Sequence, residues 1–207
     1  MKASLELAKA HGVAVGAHPS YPDREYFGRR DLDIAIDELR SSLAAQVSAL
    51  KCHADEISIA LSHLKPHGAL YNHAAGNTEA AELLAKLTAD LLPGAALVGP
   101  PQSQLERAAK DTGIDFIAEG FCDRAYERDG ALRSRGLEGA VLTDDSACAA
   151  QALQIALTGG VQSHDGHAVP LPVQTLCLHS DTPGALVAGR LIRHRLEAEG
   201  VEVRSPK

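Results

Sequence analysis

Short apolar segments alternate with longer helical patterns along this chain of 207 residues, and that alternation restricts the fold more than any other feature of the sequence. Short apolar runs suit buried strands, whereas apolar residues at every third or fourth position suit helices. The five strand candidates are VAVGAHPS, SHLKP, AALVGP, IDFIAEGF and QTLCLHS. Strands that alternate with helices predict a parallel α/β fold. A barrel and a doubly wound sheet both fit this pattern.

The helical patterns have recognisable ends. In the first long pattern the expected N-cap is Asp33. Its apolar residues are Ile36, Leu39, Leu43, Val47 and Leu50. In the last pattern Thr182 is the expected N-cap, Pro183 the first helical residue and Gly200 the stop. Between the last two helical patterns, GGVQSHDGHAVPLPV is typical of an irregular loop or hairpin. Without a linker or internal repeat, the sequence predicts one domain over residues 1–207.

Composition argues against several classes of function. The net charge is −7 and no basic block appears, so binding to nucleic acid or an anionic membrane is not expected. The 4 cysteines form no CxxC pair, which argues against a zinc ribbon or a disulfide scaffold. No apolar run reaches about 18 residues, and the N-terminus lacks the apolar region of a signal peptide. These features predict a soluble cytoplasmic protein.

Ionisable side chains end four of the five strand candidates. They are His18, Lys65, His67, Glu119, Asp123, His179 and Asp181. Because parallel strands end at one edge of a sheet or barrel, we expect these side chains to surround a common cavity. Lys65 is the hardest to explain as structural, because a buried ammonium group costs free energy unless it meets an anion.

Several of these residues also have a simpler interpretation. His18 in GAHPSYPD could be hydrogen-bonded beneath a turn, and Arg29 in FGRR could be solvated rather than clamp a carboxylate or phosphate. Arg124 could belong to a charged surface loop, and Asp181 could assist in capping a helix.

Metal binding is a further alternative. His18, His67 and His179 could ligate a divalent ion if they converge. No HxH, HExxH or CxxC spacing requires a tightly bound metal, so the sequence assigns no metal ligand. Walker A, GxGxxG and GxSxG motifs are also missing from the sequence.

Five segments together resemble the LamB/YcsF family. They are GAHPSYPD, FGRR, LKPHGALYN, FCDRAYERDGAL and CLHSDTPGA, in that order. Three positions depart from the family pattern: Tyr26 and Ser180 stand where Gly is usual, and Cys122 where Ala is usual. The resemblance implies a distorted seven-stranded β/α barrel of the glycoside hydrolase and deacetylase type. It also implies ATP-dependent opening of the 5-oxo-L-proline lactam to L-glutamate, performed together with B and C subunits.

The N-terminal part of the family pattern is not found in this sequence. Family members begin with a strand that carries an NCDxGE-like motif, followed by a second strand that ends in CGFHAGD. At roughly 30 residues per strand-helix unit, about 40 residues and two N-terminal strands are expected to be missing. We therefore expect five of the seven strands, and an internal methionine at Met1.

In the implied reaction, ATP with Mg²⁺ would phosphorylate the lactam carbonyl oxygen. Lys65 is the expected cation at the γ-phosphate, assisted by Arg29 or Arg124. Arg124 is also the candidate for the substrate carboxylate. The other expected substrate-binding residue on that loop is Asp123.

The water step of the implied reaction needs a base, for which Glu119, Asp181 or His67 would serve. His18 and His179 are expected to orient the substrate or polarise its carbonyl. Two alternatives stay open: a metal-assisted deacetylase or amidohydrolase, and a non-catalytic binding remnant. The sequence also leaves open whether the chain forms a homo-oligomer.

Overall fold

The computed structural model describes residues 1–205, and its contacts divide the chain into a first unit, Met1–Ile117, and a second unit that begins at Ala118. The single domain expected over residues 1–207 stays a prediction. The helices are α1 (Lys2–Ala10), α2 (Ile36–Glu56), α3 (Ala69–Gly76), α4 (Thr78–Leu91), α5 (Gln104–Thr112), α6 (Asp145–Thr158) and α7 (Ala185–Ala198). The strands are β1 (Val15–Ala17), β2 (Leu61–Leu64), β3 (Ala96–Gly99), β4 (Phe116–Phe121), β5 (Gly160–Gln162), β6 (Ala168–Pro170) and β7 (Thr175–Cys177).

Parallel strands form the centre of the first unit. β1 pairs with β2, with Ala17 opposite Leu64, and β2 pairs with β3, with Leu64 opposite Leu97. Helices α2, α4 and α5 bury their apolar faces in the same core as these strands. Its fully buried members include Leu43, Leu64, Leu84, Leu97 and Leu105. This packing brings β1 and β2 to an end side by side.

Gly16 in β1 is required by a close approach. The imidazole ring of His63, its partner in the neighbouring strand, occupies the space that a Cβ atom at residue 16 would fill. Burial first, and then the positive charge of Lys65, lower the pKa of His63. The ring is therefore favoured in its neutral form, packed on the backbone of β1.

Gly68 explains why LKPHGALYN turns at a glycine. Its φ of 63° and ψ of −128° lie in a region that side-chain-bearing residues rarely adopt. A Cβ atom at residue 68 would also overlap the carbonyl oxygen of Gly28, which accepts a hydrogen bond from the Ala69 N–H at 2.9 Å. The glycine thus lets the start of α3 lie against the loop that contains Gly28.

Replacing Gly68 by alanine is expected to lower the free energy of unfolding by at least about 2 kcal/mol, because backbone strain and steric overlap act together. Urea unfolding of the whole chain measures this change. The control is Gly12→Ala, since Gly12 has the same φ of 63° with no atom near the added Cβ. We expect about 1 kcal/mol for the control. Equal losses in the two variants would contradict the role given to the Gly28 contact.

The second unit pairs β4 with β7 in parallel and β5 with β6 in an antiparallel hairpin. Phe121 at the end of β4 lies opposite Cys177 at the end of β7. Helices α6 and α7 share one core with residues that border these strands. Its buried members are Cys122, Cys148, Ala149, Ala152, Ile192 and Leu196. Two strand ends therefore lie together in this unit as well.

All five predicted parallel strands are present, and GGVQSHDGHAVPLPV forms the β5–β6 hairpin. Leu39, Leu43 and Val47 are buried in α2 as predicted. Two helix starts were wrong. The N-cap of α2 is Ala35 rather than Asp33. Helix α7 begins at Ala185 after a left-handed Gly184, so Thr182 and Pro183 belong to the preceding turn. Helix α3, which has no side-chain N-cap, was not predicted from the sequence.

Within residues 1–205, no helix combines the length and apolar character needed to cross a membrane.

Candidate active site

In the first unit, the segments that follow β1 and β2 continue side by side. The Lys65 N–H donates to the Ala17 carbonyl, and the His67 N–H donates to the Pro19 carbonyl, each at 2.9 Å. The parallel pairing thus extends beyond the ends of both strands. As a result, His18 and His67 lie next to each other although 49 residues separate them in the sequence.

The two imidazoles form a continuous chain of contacts. His18 Nδ1 lies 2.7 Å from the Lys65 carbonyl oxygen, and His18 Nε2 lies 2.9 Å from His67 Nδ1. His67 Nε2 lies 2.9 Å from the Phe27 carbonyl oxygen. All four ring nitrogens are therefore engaged within this unit.

The loop that presents Phe27 has a strained and well-anchored backbone. Phe27 has a φ of 57°, which is uncommon for a residue with a side chain. Asp23 is 8% exposed and holds the loop, because its carboxylate accepts from Arg30 Nε and its carbonyl from the Gly28 N–H. Arg29 places its guanidinium 5.2 Å from the Phe27 ring centroid. The loop therefore brings a cation and a fixed carbonyl to the end of β2.

Lys65 is half-buried at the end of β2, and its ammonium nitrogen lies 6.0 Å from the Tyr71 ring centroid. Tyr71 belongs to α3, which begins directly after Gly68. A cation near an aromatic face is attracted by the negative potential of the ring. The motif KPHG thus sets a lysine and a histidine within four residues of the start of α3.

In the second unit, the ends of β4 and β7 bring Asp123 and His179 together. The Asp123 carboxylate accepts from His179 Nδ1 at 2.9 Å and from the His179 backbone N–H at 3.1 Å. The Asp123 side chain is 1% exposed, whereas that of His179 is 21% exposed. The ring of His179 is stacked on Phe121, with centroids 5.5 Å apart. This geometry fixes the orientation of the imidazole.

The Asp123 contact also fixes which nitrogen of His179 carries the proton. An ionised carboxylate only accepts hydrogen bonds, so Nδ1 carries the proton and Nε2 of the neutral ring has a lone pair. A buried carboxylate that orients an imidazole in this way stabilises the imidazolium formed when Nε2 takes a proton. The contact with Asp123 therefore leaves Nε2 as the nitrogen of His179 that could accept a proton.

Two residues that the sequence analysis missed hold the end of β4. Gln151 in α6 donates from Nε2 to the carbonyls of Phe121 and Arg124, both at 2.8 Å. The buried Tyr126 hydroxyl accepts from the Phe121 N–H at 2.6 Å. Burial raises the pKa of Tyr126, so this hydroxyl stays neutral. Tyr126 lies in FCDRAYERDGAL but was not singled out there, and no motif marks Gln151, because the contacts of both residues are with backbone groups.

Arg124 is 4% exposed and lies inside the second unit. Its Nε donates to the Ala140 carbonyl at 3.1 Å, and a terminal nitrogen donates to the Arg133 carbonyl. These bonds hold the loop that follows β4. The predicted role of Arg124 at the substrate carboxylate stays a prediction.

The two predicted carboxylate bases have different environments. Glu119 is 6% exposed and lies within β4, opposite Thr175 in β7. Asp181 is exposed in the turn before α7. Among the predicted site residues, the structure brings Asp123 into contact with His179, and His18 into contact with His67. The expectation that all four strand ends surround one cavity stays a prediction.

The Asp123–His179 pair predicts a pH dependence of stability. Burial acts on the Asp123 carboxyl first and would raise its pKa, but the hydrogen bonds and charge of His179 outweigh burial, and the pKa is lowered. A lowered folded pKa adds to the free energy of unfolding above the ordinary value of about 4. The stability that the ionised Asp123 carboxylate adds is lost as the pH falls from about 4 through the pKa of Asp123 in the folded chain.

Urea unfolding at several pH values from 7 down to 3 measures this effect. We expect Asp123→Asn to flatten part of the fall in stability below about pH 4. The control is Asp90→Asn, because Asp90 is an exposed member of an ion pair with Lys86 in α4. An unchanged pH slope in Asp123→Asn would contradict the assignment.

In the part of the chain that the structure describes, residues 1–205, no three His, Cys, Asp or Glu side chains are grouped so that they could hold a metal ion. The contacts of His18 and His67 also bear on metal binding. A metal ligand needs a nitrogen lone pair, and each of these rings directs one nitrogen at a backbone carbonyl and the other at its neighbour. The metal-assisted alternative stays open.

Parallel strand pairs packed against helices define an α/β protein. Its polar side chains lie at the carboxyl ends of the strands, where α/β enzymes carry their functional groups. The Asp–His pair is a catalytic arrangement found in many hydrolases. The chain belongs to the LamB/YcsF family, whose model matches residues 1–207. The family resemblance drawn from the sequence motifs is confirmed.

Similar proteins carry consistent names. The A subunit of 5-oxoprolinase from Chloroflexus aggregans is 44% identical over 207 residues, which cover 100% of this chain and 82% of that protein. The corresponding 5-oxoprolinase subunit from Methylococcus capsulatus is 43% identical, over 98% of this chain and 78% of that protein.

A solved structure agrees with the fold. The crystal structure of the lactam utilization protein from Thermus thermophilus matches 99% of this chain and 82% of its own, with 39% identity and a TM-score of 0.90. The α/β architecture is thereby confirmed. The count of seven strands and the two missing N-terminal strands stay predictions.

Proposed function

We propose that this chain is the A-type subunit of an ATP-dependent 5-oxoprolinase, which opens the lactam of 5-oxo-L-proline to L-glutamate. The observation that carries the proposal is the Asp123–His179 pair, a base fixed in its reactive tautomer at adjacent strand ends. The names of the relatives and of the lactam utilization protein with the matching fold support the same substrate class.

The chemistry explains the need for ATP. A five-membered lactam is a stable amide, and water attacks it slowly. Transfer of the γ-phosphoryl group to the carbonyl oxygen makes the ring carbon electrophilic and releases ADP. One water then adds to that carbon and the C–N bond breaks with a proton to nitrogen, which leaves an acyl phosphate. A second water releases phosphate, so one ATP and two waters are consumed per glutamate.

His179 suits the water steps. Its Nε2 would take a proton from the attacking water, and Asp123 would stabilise the resulting imidazolium. The same nitrogen would then return the proton to the ring nitrogen as it leaves. This role replaces the substrate-orienting one expected for His179 from the sequence, and Asp123 becomes its partner. Glu119 and Asp181 stay as alternative bases.

Lys65 suits the phosphoryl step, with Arg29 assisting. Negative charge on the transferred phosphoryl oxygens is stabilised by cations placed before the reaction begins. Mg²⁺ would arrive with ATP, and we assign it no ligand in this chain. Arg124 is the proposed partner of the substrate carboxylate.

The same proposal extends to partners and location. We propose that the chain acts in the cytoplasm with B and C subunits. The relatives are named as one subunit of a larger enzyme, which supports a multi-subunit assembly. Turnover should therefore depend on the complete set of subunits.

The test compares substrates with the reconstituted complex. We expect glutamate from 5-oxo-L-proline, and none from the D enantiomer, when ATP and all subunits are present. The deacetylase alternative predicts acetate release from N-acetylated sugars without ATP. That result, together with no glutamate from 5-oxo-L-proline, would overturn the proposal. Binding of 5-oxo-L-proline without turnover in an otherwise active complex would indicate the non-catalytic alternative.

A further inference from the structure

The chain of contacts through His18 and His67 restricts how many protons the two rings hold. Its outer nitrogens, His18 Nδ1 and His67 Nε2, face the carbonyl oxygens of Lys65 and Phe27 at 2.7 and 2.9 Å. A backbone carbonyl only accepts hydrogen bonds, so each outer nitrogen must carry a proton. In a neutral imidazole this leaves the inner nitrogen with a lone pair. Two neutral rings would thus direct two lone pairs at each other.

The inner nitrogens, His18 Nε2 and His67 Nδ1, are 2.9 Å apart, which is a hydrogen-bond distance. Such a contact needs one further proton between the rings. We propose that His18 and His67 share this proton, carry one positive charge as a pair, and serve an anionic carboxylate or phosphoryl group of the substrate as a fixed cation. The shared proton follows from the geometry alone, whereas the role toward substrate rests on the proposed function.

Nearby groups act on this charge in both directions. Lys65 and Arg29 are cations in the same turn and loop, and they oppose a further positive charge. The carbonyls of Lys65 and Phe27 direct their negative ends at the outer N–H groups and favour it. Asp23 is an acid in the same loop, and its carboxylate is occupied by Arg30. The hydrogen bonds decide the balance, because without the proton the inner contact becomes repulsive.

The backbone around the pair is built to keep it in place. Phe27 adopts its uncommon φ of 57°, and its carbonyl is the acceptor for His67. The Phe27 ring also meets the His67 ring edge-on, with centroids 5.1 Å apart. On the other side, the His67 N–H is bonded to the Pro19 carbonyl. Both rings are thus held by main-chain groups, as expected for a fixed charge and not for a mobile base.

This assignment changes the role of two residues. His67 was expected to be a base, but in the pair it has no lone pair to offer. His18 was expected to contact substrate, and here it becomes a positioning residue that acts through His67. The result is a second positive charge in the turn that carries Lys65.

Nitrogen-15 NMR of ¹⁵N-histidine-labelled chain at pH 7 tests the shared proton directly. We expect His18 Nδ1 and His67 Nε2 to give the signals of protonated nitrogens, and the two inner nitrogens to give intermediate signals coupled to one downfield proton. Variants of each histidine assign the signals. A wild-type spectrum that lacks both the downfield proton and the intermediate nitrogen signals would overturn the proposal, and this result needs no assignment from variants.

Two replacements of His67 separate the charge from the contacts. His67→Asn places an amide where Nδ1 was and can donate to His18 without a charge, whereas His67→Gln places it near Nε2 and can keep the Phe27 bond. We expect His18 to become an ordinary neutral imidazole at pH 7 in both variants. If both ring nitrogens of His18 still carry a proton in His67→Asn, the proposal that His18 and His67 share a proton is wrong.

Inorganic phosphate probes the role of the charge. Added phosphate should shift the inner-nitrogen signals of the wild-type chain, and His67→Asn should weaken phosphate binding about tenfold or more. In the reconstituted complex, both His67 variants should raise KM more than they lower kcat. No response to phosphate in the wild-type chain would overturn the cation role. A complex that opens no lactam would instead count against the proposed function, since the NMR and phosphate results do not depend on turnover.

Discussion

Replacing His179 by glutamine is expected to lower the turnover of 5-oxo-L-proline about 10²–10⁴-fold in the reconstituted complex, because general-base catalysis contributes that range. Glutamine fills much of the space of the imidazole with a neutral amide, which has no nitrogen that takes a proton from water. Glutamate release at saturating ATP measures the effect. We expect some loss in the free energy of unfolding, because Asp123 loses the imidazole and keeps the His179 backbone N–H as a donor. Urea unfolding measures this loss separately, and kcat should fall far more than it explains.

Two further variants make this result specific. Asp123→Asn should also lower kcat by orders of magnitude, because an amide does not stabilise an imidazolium as a carboxylate does. The control is His194→Gln, since His194 is exposed on α7. A His179→Gln complex that keeps more than about a tenth of wild-type turnover would rule out His179 as the base.

Replacing Lys65 by methionine is expected to lower the rate of the phosphoryl step about 10²–10³-fold, because a preorganised cation is removed from the developing negative charge. Methionine keeps an unbranched apolar side chain, so packing at the end of β2 changes little. ADP formation in a single turnover with 5-oxo-L-proline isolates this step from glutamate release. The defect should persist at saturating ATP.

The matched control for Lys65 is Lys86→Met, because Lys86 lies exposed on α4 and is paired with Asp90. It should leave the single-turnover rate unchanged. A Lys65→Met complex with a near-normal rate would remove Lys65 from the site. A loss seen only at low ATP would assign Lys65 to nucleotide binding instead of the chemical step.

The sequence predicted which residues end the strands but not which of them meet. Apolar runs followed by His18, Lys65 and His179 placed these side chains at strand ends, and the parallel pairing agrees. The partner of His179 is Asp123, 56 residues away, and no local pattern specifies such a contact. Pair formation depends on strand register and loop length, which one sequence does not fix.

A different reason explains why residues whose contacts are with backbone groups could not be predicted. Gln151 contacts one carbonyl at the end of β4 and two that follow it, yet a single glutamine in a helix has no distinctive spacing. The short helix α3 was also missed because Gly68, which precedes it, provides no capping side chain. Its start depends instead on the hydrogen bond from Ala69 to Gly28, a tertiary contact.

The proposed reaction can be tested by measuring glutamate and inorganic phosphate in the same sample. The reaction contains labelled 5-oxo-L-proline, ATP, this chain and its partner subunits. The proposed stoichiometry predicts equal amounts of glutamate and phosphate with the wild-type chain, and the proposed base predicts loss of glutamate with His179→Gln. Glutamate formed at the same rate without ATP, or none formed while a related A-type chain restores turnover to the same partners, would contradict the proposed reaction.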